Sequence, residues 1–249
     1  MPSPDLALLI FGAAIAGLVQ GIAGFGFSTV AMSFWIWGLD PALAAAMAVF
    51  GSWMGQLVAF ASVRRALHLV DLMPLLAGAA LGIVLGSILL PYLNTDIYKL
   101  LFGSILLVWC PTMLFSDALP VVRGGGRLAD GAAGMVGGIM GALVGATGLA
   151  PTLWFTLRGM NKAKQRDLVQ NFNLAALSAT MVAYVYTGTL SQAMLPSLPV
   201  VAVALLIPSL WGSRIYRGLS DLAFRRVVLL LLTLSGLAMV LASVLRLLA

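Results

Sequence analysis

The sequence predicts an all-α polytopic membrane protein built from two homologous halves, and three observations support this. Hydrophobic residues make up 61% of the 249 residues and charged residues 9%, with a mean hydropathy of +1.06, whereas a soluble domain carries about a quarter charged residues. Uncharged runs of the length that a membrane span requires, about 20 residues as helix, recur along the chain. They are 6–39, 41–63, 72–95, 100–116, 131–157, 168–213 and 227–245. Finally, a pattern in the first half returns in the second.

The recurring pattern is a pair of glycine-rich stretches, GLVQGIAGF at 17–25 and GALVGATGL at 141–149, which lie 124 residues apart. A second pair, TDIYKLL at 95–101 and SDLAFRR at 220–226, follows in the same order at a spacing of 125. Matches that keep their order and spacing indicate an internal duplication. The predicted organisation is a first half at 1–115, a cytoplasmic linker at 116–128 and a second half at 129–249.

Each half is predicted to hold one glycine-broken segment followed by three transmembrane helices. The broken segments are 6–38 and 129–157; the other spans are about 41–62, 72–91, 98–115, 168–187, 195–213 and 223–246. As continuous helix, 6–38 would be about 50 Å long. That is too long for one crossing of about 30 Å and too short for two. The segment therefore either crosses once, strongly tilted or broken, or re-enters.

The distribution of Lys and Arg favours re-entry. If every segment crosses once, the 14 cations divide 9 to 5 between the two sides. If each glycine-rich segment returns to its own side, they divide 12 to 2, with Lys99 and Arg246 outside. The positive-inside rule favours the second topology. That topology makes the halves inverted repeats, an arrangement found in many secondary transporters.

The glycines predict a site for a small anion. Non-helical backbone at membrane depth is tolerated where it is buried in protein or lines a cavity. The free N–H groups of a half-helix then point into that cavity with a partial positive charge. The stretches GFGFST at 24–29 and TGLAPT at 147–152 are predicted to form two such breaks, which converge near the membrane midplane. Glycines at four-residue spacing are instead predicted to be close-packing seams: Gly17, Gly21, Gly78, Gly82, Gly86, Gly137, Gly141 and Gly145.

The candidate substrate-binding residues come from the two breaks and from nearby polar positions. The first break supplies Gly24, Phe25, Gly26, Ser28 and Thr29, and the second supplies Thr147, Gly148, Leu149 and Thr152. The neighbouring spans supply Ser52, Gln56, Gln170, Asn171 and Asn173. For the polar residues of the spans, hydrogen bonding between helices is an equal alternative, and for Phe25 the alternative is packing. Trp35 and Trp37 are expected in an interfacial aromatic belt.

Several classes of protein are disfavoured by what the sequence contains. It has no Glu, its Asp residues lie at predicted loops or helix ends, and its single cysteine is Cys110. We therefore expect no catalytic residues, no metal site, no cofactor and no carboxylate proton relay. The basic residues lie in short loops, as the positive-inside rule explains, so no nucleic-acid partner is expected. The expected partners are a small anionic substrate and the lipid bilayer, and a homodimer remains open.

The motifs GLVQGIAGFGFSTVAM at 17–32 and GALVGATGLAPTLWF at 141–155 resemble those of the TauE/SafE family of sulfite-exporter-type anion permeases. The resemblance implies a multi-pass transporter of the bacterial inner membrane that carries sulfite or organosulfonates such as sulfoacetate. It also places the family's glycine motif at Gly21, Gly24, Phe25, Gly26, Gly145, Gly148 and Leu149. Where the first copy has Gly26, the second has Ala150 followed by Pro151.

Export needs no coupling ion, because each unit of negative charge that leaves a negative cytoplasm gains about 2.3 kcal/mol per 100 mV. The resemblance does not fix the substrate or the direction. Two alternatives therefore stay open: an ion-coupled permease for another small metabolite or a cation, and a non-transporting membrane scaffold.

Overall fold

A computed structural model of the chain describes residues 3–23, 26–62, 66–116, 119–122, 124–215 and 221–248. The described residues form ten α-helices and contain no strand. The helices are α1 (Ser3–Ala23), α2 (Phe27–Trp35), α3 (Pro41–Ser62), α4 (Leu69–Leu89), α5 (Thr95–Leu114), α6 (Gly126–Val144), α7 (Leu149–Leu157), α8 (Lys162–Tyr186), α9 (Ser197–Ile215) and α10 (Asp221–Leu248). Seven of them, α1, α3, α4, α5, α8, α9 and α10, are long and apolar enough to cross a membrane. The predicted all-α polytopic fold is confirmed.

Short polar residues set where several spans begin. Asp40 Oδ1 accepts from the main-chain N–H groups of Ala42 and Leu43 at 2.9 and 3.2 Å, and Pro41 follows at the first helical position, where its missing N–H costs nothing. Asn94 caps α5 and Asn161 caps α8 in the same way. The Asn161 cap starts α8 at Lys162, earlier than the predicted residue 168, so its first turns are polar.

The first glycine-rich segment folds back on itself. The indole Nε1 of Trp35, at the end of α2, donates to the carbonyl of Leu9 near the start of α1 at 3.2 Å. The rings of Phe34 and Phe11 pack edge to face with centroids 5.4 Å apart. Because the end of α2 lies beside the first part of α1, the chain reverses between the two helices and forms a helical hairpin.

The second glycine-rich segment has the same form. Trp154 Nε1, late in α7, donates to Oδ1 of Asp130 at 2.7 Å, and the N–H of Val122 donates to the carbonyl of Leu157 at 2.7 Å. The end of α7 thus returns to the start of α6. Each hairpin begins and ends at a single end of the helix bundle, the first at the end that holds Trp37 and the second at the opposite end, which is the geometry that re-entry requires.

Close glycine contacts join the long helix of each hairpin to a helix of the other half. A Cβ atom at Gly17 would lie 2.5 Å from the carbonyl oxygen of Leu205, and one at Gly21 would lie 2.2 Å from that of Ser209. Because both positions advance together, α1 and α9 run parallel. The seams predicted at these glycines are confirmed, since only glycine lets the two backbones approach so closely.

The same packing joins α4 to α6. A Cβ atom at Gly78 would lie 1.9 Å from the carbonyl oxygen of Gly131, and one at Gly82 would lie 2.0 Å from that of Met135. The contacts again advance together along both helices, so α4 and α6 are parallel. Each hairpin is therefore held by a spanning helix from the opposite half of the chain.

Charged side chains gather at the two ends of the bundle. At one end, called the basic end here, Lys164 pairs with Asp71 at 2.7 Å and Arg158 with Asp130 at 2.9 Å. At the opposite end, Arg246 lies 3.6 Å from Asp96, and the Nζ of Lys99 lies 5.0 Å from the ring centroid of Trp37. Between these ends the core centres on α3, whose residues 44–49 are fully buried.

Candidate functional site

The first break ends at Gly26, the residue that begins α2. Gly26 has φ +92°, a conformation that favours glycine, and no described side chain caps the helix. Its carbonyl accepts from the N–H of Val30 at 3.1 Å and from the hydroxyl of Thr29 at 2.9 Å. The N–H groups of Phe27, Ser28 and Thr29 precede the first intrahelical bond and so give α2 a positive pole. Ser28 and Thr29 are buried at that pole. Of the predicted site residues, Gly24 and Phe25 lie outside the described residues.

The second break runs from Gly145 to Gly148. Gly145 ends α6 with φ +70°, and its N–H donates to the carbonyl of Gly141 at 2.8 Å. Gly145 packs closely against α3, as predicted, and its positive φ also makes it the residue that ends α6. Gly148 begins α7, again with no capping bond from a described side chain. Because Pro151 has no N–H, α7 presents only the free N–H groups of Leu149 and Ala150.

Thr147, Gly148 and Asn173 form one cluster at this second break. The hydroxyl of Thr147 donates to Oδ1 of Asn173 at 2.9 Å. A Cβ atom at Gly148 would lie 2.8 Å from the amide nitrogen and from the oxygen of Asn173. A side chain at 148 would therefore displace the amide of Asn173 from the break. The structure brings these three predicted residues together.

Both breaks meet on α3. A Cβ atom at Gly51 would lie 2.0 Å from Cε1 of Phe27, in the first turn of α2. A Cβ atom at Gly145 would lie 2.8 Å from the carbonyl carbon of Ala48. Ala48 and Gly51 are one turn apart, about 4.5 Å along the helix, and lie near the middle of α3. The two breaks therefore converge halfway along a spanning helix.

Groups of the protein donate hydrogen bonds to carbonyls at the C-terminus of α6, whereas no described side chain caps the N-terminus of α7. The hydroxyl of Tyr98 donates to the carbonyl of Leu143, and the hydroxyl of Tyr184 donates to that of Ala142. The carbonyl of Gly141 is bonded by the N–H of Gly145. Both tyrosines are fully buried. Since these carbonyls are occupied while the donors of α7 are not capped, the break favours a negative ligand.

Helix geometry places polar side chains of α3 and α8 opposite one another beside the second break. These helices are joined by a hydrogen bond from Trp53 Nε1 to the hydroxyl of Ser178 at 2.9 Å. At about 100° per residue, Ser52 and Gln56 lie about 40° and 80° round α3 from Ala48. Both are rotated from Ala48 in the direction of Trp53. Both face the space between the second break and α8, and both are buried.

The side of α8 that faces α3 is polar as well. Asn173 contacts the break, and Gln170 lies about 60° round α8 from it, on the side of Ser178. Gln170 therefore faces the space between the break and α3. We use the name polar cleft for Ser52, Gln56, Thr147, Gln170 and Asn173.

Two predicted residues have other contacts. The side-chain amide of Asn171 donates to the carbonyl of Ala66 at 3.1 Å, which ties α8 to the segment before α4 on the exposed side. Thr152 lies in the first turn of α7, where its carbonyl accepts from Gln165 Nε2 at 3.0 Å. The structure thus places Asn171 away from the breaks and Thr152 on the hairpin itself.

One buried polar residue near the breaks was missed by the sequence analysis. Gln20, in α1, is only 8% exposed, and a Cβ atom at Gly55 would lie 1.5 Å from its amide nitrogen. It is the single Gln inside the uncharged run 6–39, a signal that could have found it. Among the described residues, no three His, Cys, Asp or Glu side chains are grouped as metal ligands.

Paired helical hairpins with broken-helix termini that meet inside the bundle are features of a polytopic membrane transporter. The chain belongs to the TauE/SafE sulfite exporter family, whose model matches residues 9–239, nearly the whole chain. The resemblance identified from the two glycine motifs is confirmed, and the protein is an anion-exporter-type membrane transporter by family. Searches of curated proteins and of solved structures gave no significant match.

Proposed function

We propose that this protein exports a small sulfur-containing anion, sulfite or an organosulfonate such as sulfoacetate, through the bacterial inner membrane. The supporting observation is that both breaks reach α3 within one turn: Phe27, at the start of α2, packs on Gly51, and Gly145, which ends α6 three residues before Gly148, packs on Ala48. Each helix N-terminus carries roughly half a positive charge. An anion between them would accept main-chain hydrogen bonds in a site of low dielectric constant, where such bonds are strongest.

The occupied carbonyls of α6 support an anion over a cation as the substrate. A cation site at the break would use the free carbonyls of a helix C-terminus. Here Tyr98 and Tyr184 already bond Leu143 and Ala142. The uncapped groups at the start of α7 are N–H donors, which are the partners of an oxyanion.

The proposed topology orients the protein in the membrane, and the membrane potential sets the direction of transport. We assign the basic end to the cytoplasm by the positive-inside rule. The parallel packing of α1 with α9 and of α4 with α6 supports an inverted relation between the halves 1–115 and 129–249, joined by the linker 116–128. With the cytoplasm negative, the membrane potential alone drives an anion outwards.

The test is counterflow of radiolabelled sulfite in proteoliposomes, with an imposed potential and no sodium or proton gradient. We expect uptake that follows the potential and is inhibited by sulfonates. Flux that needs sodium or a pH gradient would replace the uniporter with a coupled carrier. Absence of flux for sulfite and sulfonates under every gradient would overturn the proposed function.

A further inference from the structure

Two buried side-chain oxygens in the polar cleft have no hydrogen-bond partner among the described residues. They are Oε1 of Gln56 and Oε1 of Gln170, and neither atom is accessible to solvent. Gln56 as a whole is only 6% exposed. Buried polar atoms in native proteins are nearly always paired, because an unpaired acceptor costs about 1–3 kcal/mol. A group outside the folded chain is therefore expected to donate to them.

The two oxygens belong to the same cleft as the second break. Gln56 lies on α3 about 4.5 Å along the axis from Trp53, towards the basic end. Gln170 lies on α8 about 12 Å from Ser178 in the same direction, since α3 and α8 run antiparallel. Trp53 and Ser178 are bonded to each other, so the two Gln positions differ by about 7.5 Å in depth. Two long side chains at that separation can contact one small ligand.

The side-chain oxygen of Asn173, in contrast, has a hydrogen-bond partner. Oδ1 of Asn173 already accepts from the hydroxyl of Thr147 at 2.9 Å. Within the polar cleft, the two Gln oxygens are therefore the buried amide acceptors without a partner among the described residues, while the breaks supply main-chain N–H donors. Acceptors and donors lie in separate parts of one site.

We propose that Gln56 and Gln170 form an acceptor subsite for a hydrogen-bond donor on the substrate. The preferred substrate is then a small anion that carries its own O–H or N–H group, as a hydroxyalkanesulfonate does. Its anionic end binds the free N–H groups of α7, which begins at Gly148 against Asn173, and its donor binds the two Gln oxygens. This inference rests on the proposed function, and it adds recognition of a hydrogen-bond donor to recognition of the negative charge.

The test compares 2-hydroxyethanesulfonate with ethanesulfonate, which has the same charge and lacks only the hydroxyl, as inhibitors of sulfite counterflow in proteoliposomes. We expect the hydroxylated compound to inhibit at a concentration lower by about five- to 100-fold, the cost of leaving a buried acceptor unpaired. In Gln56→Met and Gln170→Met this ratio should fall towards one, because 2-hydroxyethanesulfonate weakens while ethanesulfonate does not change. Gln192→Met, at an exposed turn, is the matched control and should keep the wild-type ratio.

The outcomes separate this inference from the proposed function. Equal inhibition of the wild-type protein by both sulfonates would overturn the acceptor subsite and leave anion export standing, and that comparison needs no variant to fold. A wild-type preference that survives in both Met variants would also overturn the assignment to these residues. Absence of all flux would overturn the proposed function and the subsite with it.

Discussion

The hydroxyl of Tyr184, in α8, donates a hydrogen bond to the main-chain carbonyl of Ala142 in the last turn of α6. Tyr98, in α5, does the same for Leu143. Two spanning helices from different halves thus satisfy carbonyls that a helix C-terminus otherwise leaves open. These bonds hold the end of α6 in place and leave the uncapped N–H groups of α7 for a ligand.

Removing the Tyr184 hydroxyl should destabilise the protein. Tyr184→Phe leaves the carbonyl of Ala142 buried without a partner, and we expect a loss of about 1–3 kcal/mol in the free energy of unfolding. Thermal unfolding in detergent, followed by tryptophan fluorescence, measures the change. Tyr186→Phe is the control, because that side chain is 88% exposed. Equal melting temperatures for the two variants would contradict the conclusion that the Tyr184 hydroxyl satisfies the carbonyl of Ala142.

A side chain at position 148 should block transport. A Cβ atom there would lie 2.8 Å from the side chain of Asn173, so Gly148→Val must displace that side chain from the start of α7. We expect sulfite counterflow to fall by about tenfold or more, the effect of about 1.4 kcal/mol. In Gly124→Ala the new Cβ has no described heavy atom within 4 Å, and flux should stay at the wild-type level. A Gly148→Val protein with normal flux would support the scaffold alternative.

The second hairpin should depend on Asp130. Its Oδ1 accepts from both Trp154 Nε1 and Arg158, at 2.7 and 2.9 Å. Asp130→Asn removes the charge from these bonds, and we expect a loss of about 1–2 kcal/mol in stability. Asp71→Asn breaks an ion pair with Lys164 that is more exposed at both ends, and it should cost less than about 1 kcal/mol. Detergent melting curves that rank the two variants the other way would refute this.

The seam between α4 and α6 offers a matched pair of glycines. A Cβ atom at Gly78 would lie 1.9 Å from the carbonyl oxygen of Gly131, whereas one at Gly131 would meet its nearest neighbour, Pro74 O, at 3.5 Å. Gly78→Ala should therefore lower the yield and melting temperature of the purified protein. Gly131→Ala should be neutral or slightly stabilising, because Ala is favoured over Gly in a helix by about 1 kcal/mol. Similar behaviour of both variants would mean that α4 and α6 are not packed this closely.

The proposed topology can be tested by labelling with a membrane-impermeant maleimide. In a Cys110→Ala background, we expect Tyr92→Cys to be labelled in intact cells and Lys162→Cys only after lysis. Tyr92 is exposed at the end of the bundle that holds Lys99, and Lys162 is exposed at the basic end. Labelling of Lys162→Cys from outside would reverse the assignment of the basic end to the cytoplasm.

Much of the fold could be predicted because its signals are local. The bounds of α3, predicted at about 41–62, agree with Pro41–Ser62, since Asp40 and Pro41 mark the start. The seams at Gly78 and Gly82 could be predicted from their four-residue spacing alone. These features depend on composition and helical period, which the sequence displays directly.

Features that depend on the chain folding back were harder to predict. Trp35 was expected at the membrane interface, but it is fully buried against Gly12 and Leu9. That contact exists because α2 returns along α1. No local sequence pattern indicates this return. Gly145 fits a four-residue spacing, yet its positive φ ends α6. Asn171 and Asn173 are two residues apart, and which of them contacts the break depends on how α8 is rotated.

Pro151 makes the helix N-termini at the two breaks unequal. The N-terminus of α2 has three free main-chain donors, at Phe27, Ser28 and Thr29, whereas the pyrrolidine ring leaves α7 with two. A ligand between the two poles is therefore attracted off-centre, towards α2. The same ring fixes φ at its position, so the first turn of α7 is the stiffer of the two. The pole at α2 is thus the stronger and more adaptable of the two, and the pole at α7 is the weaker and more rigid.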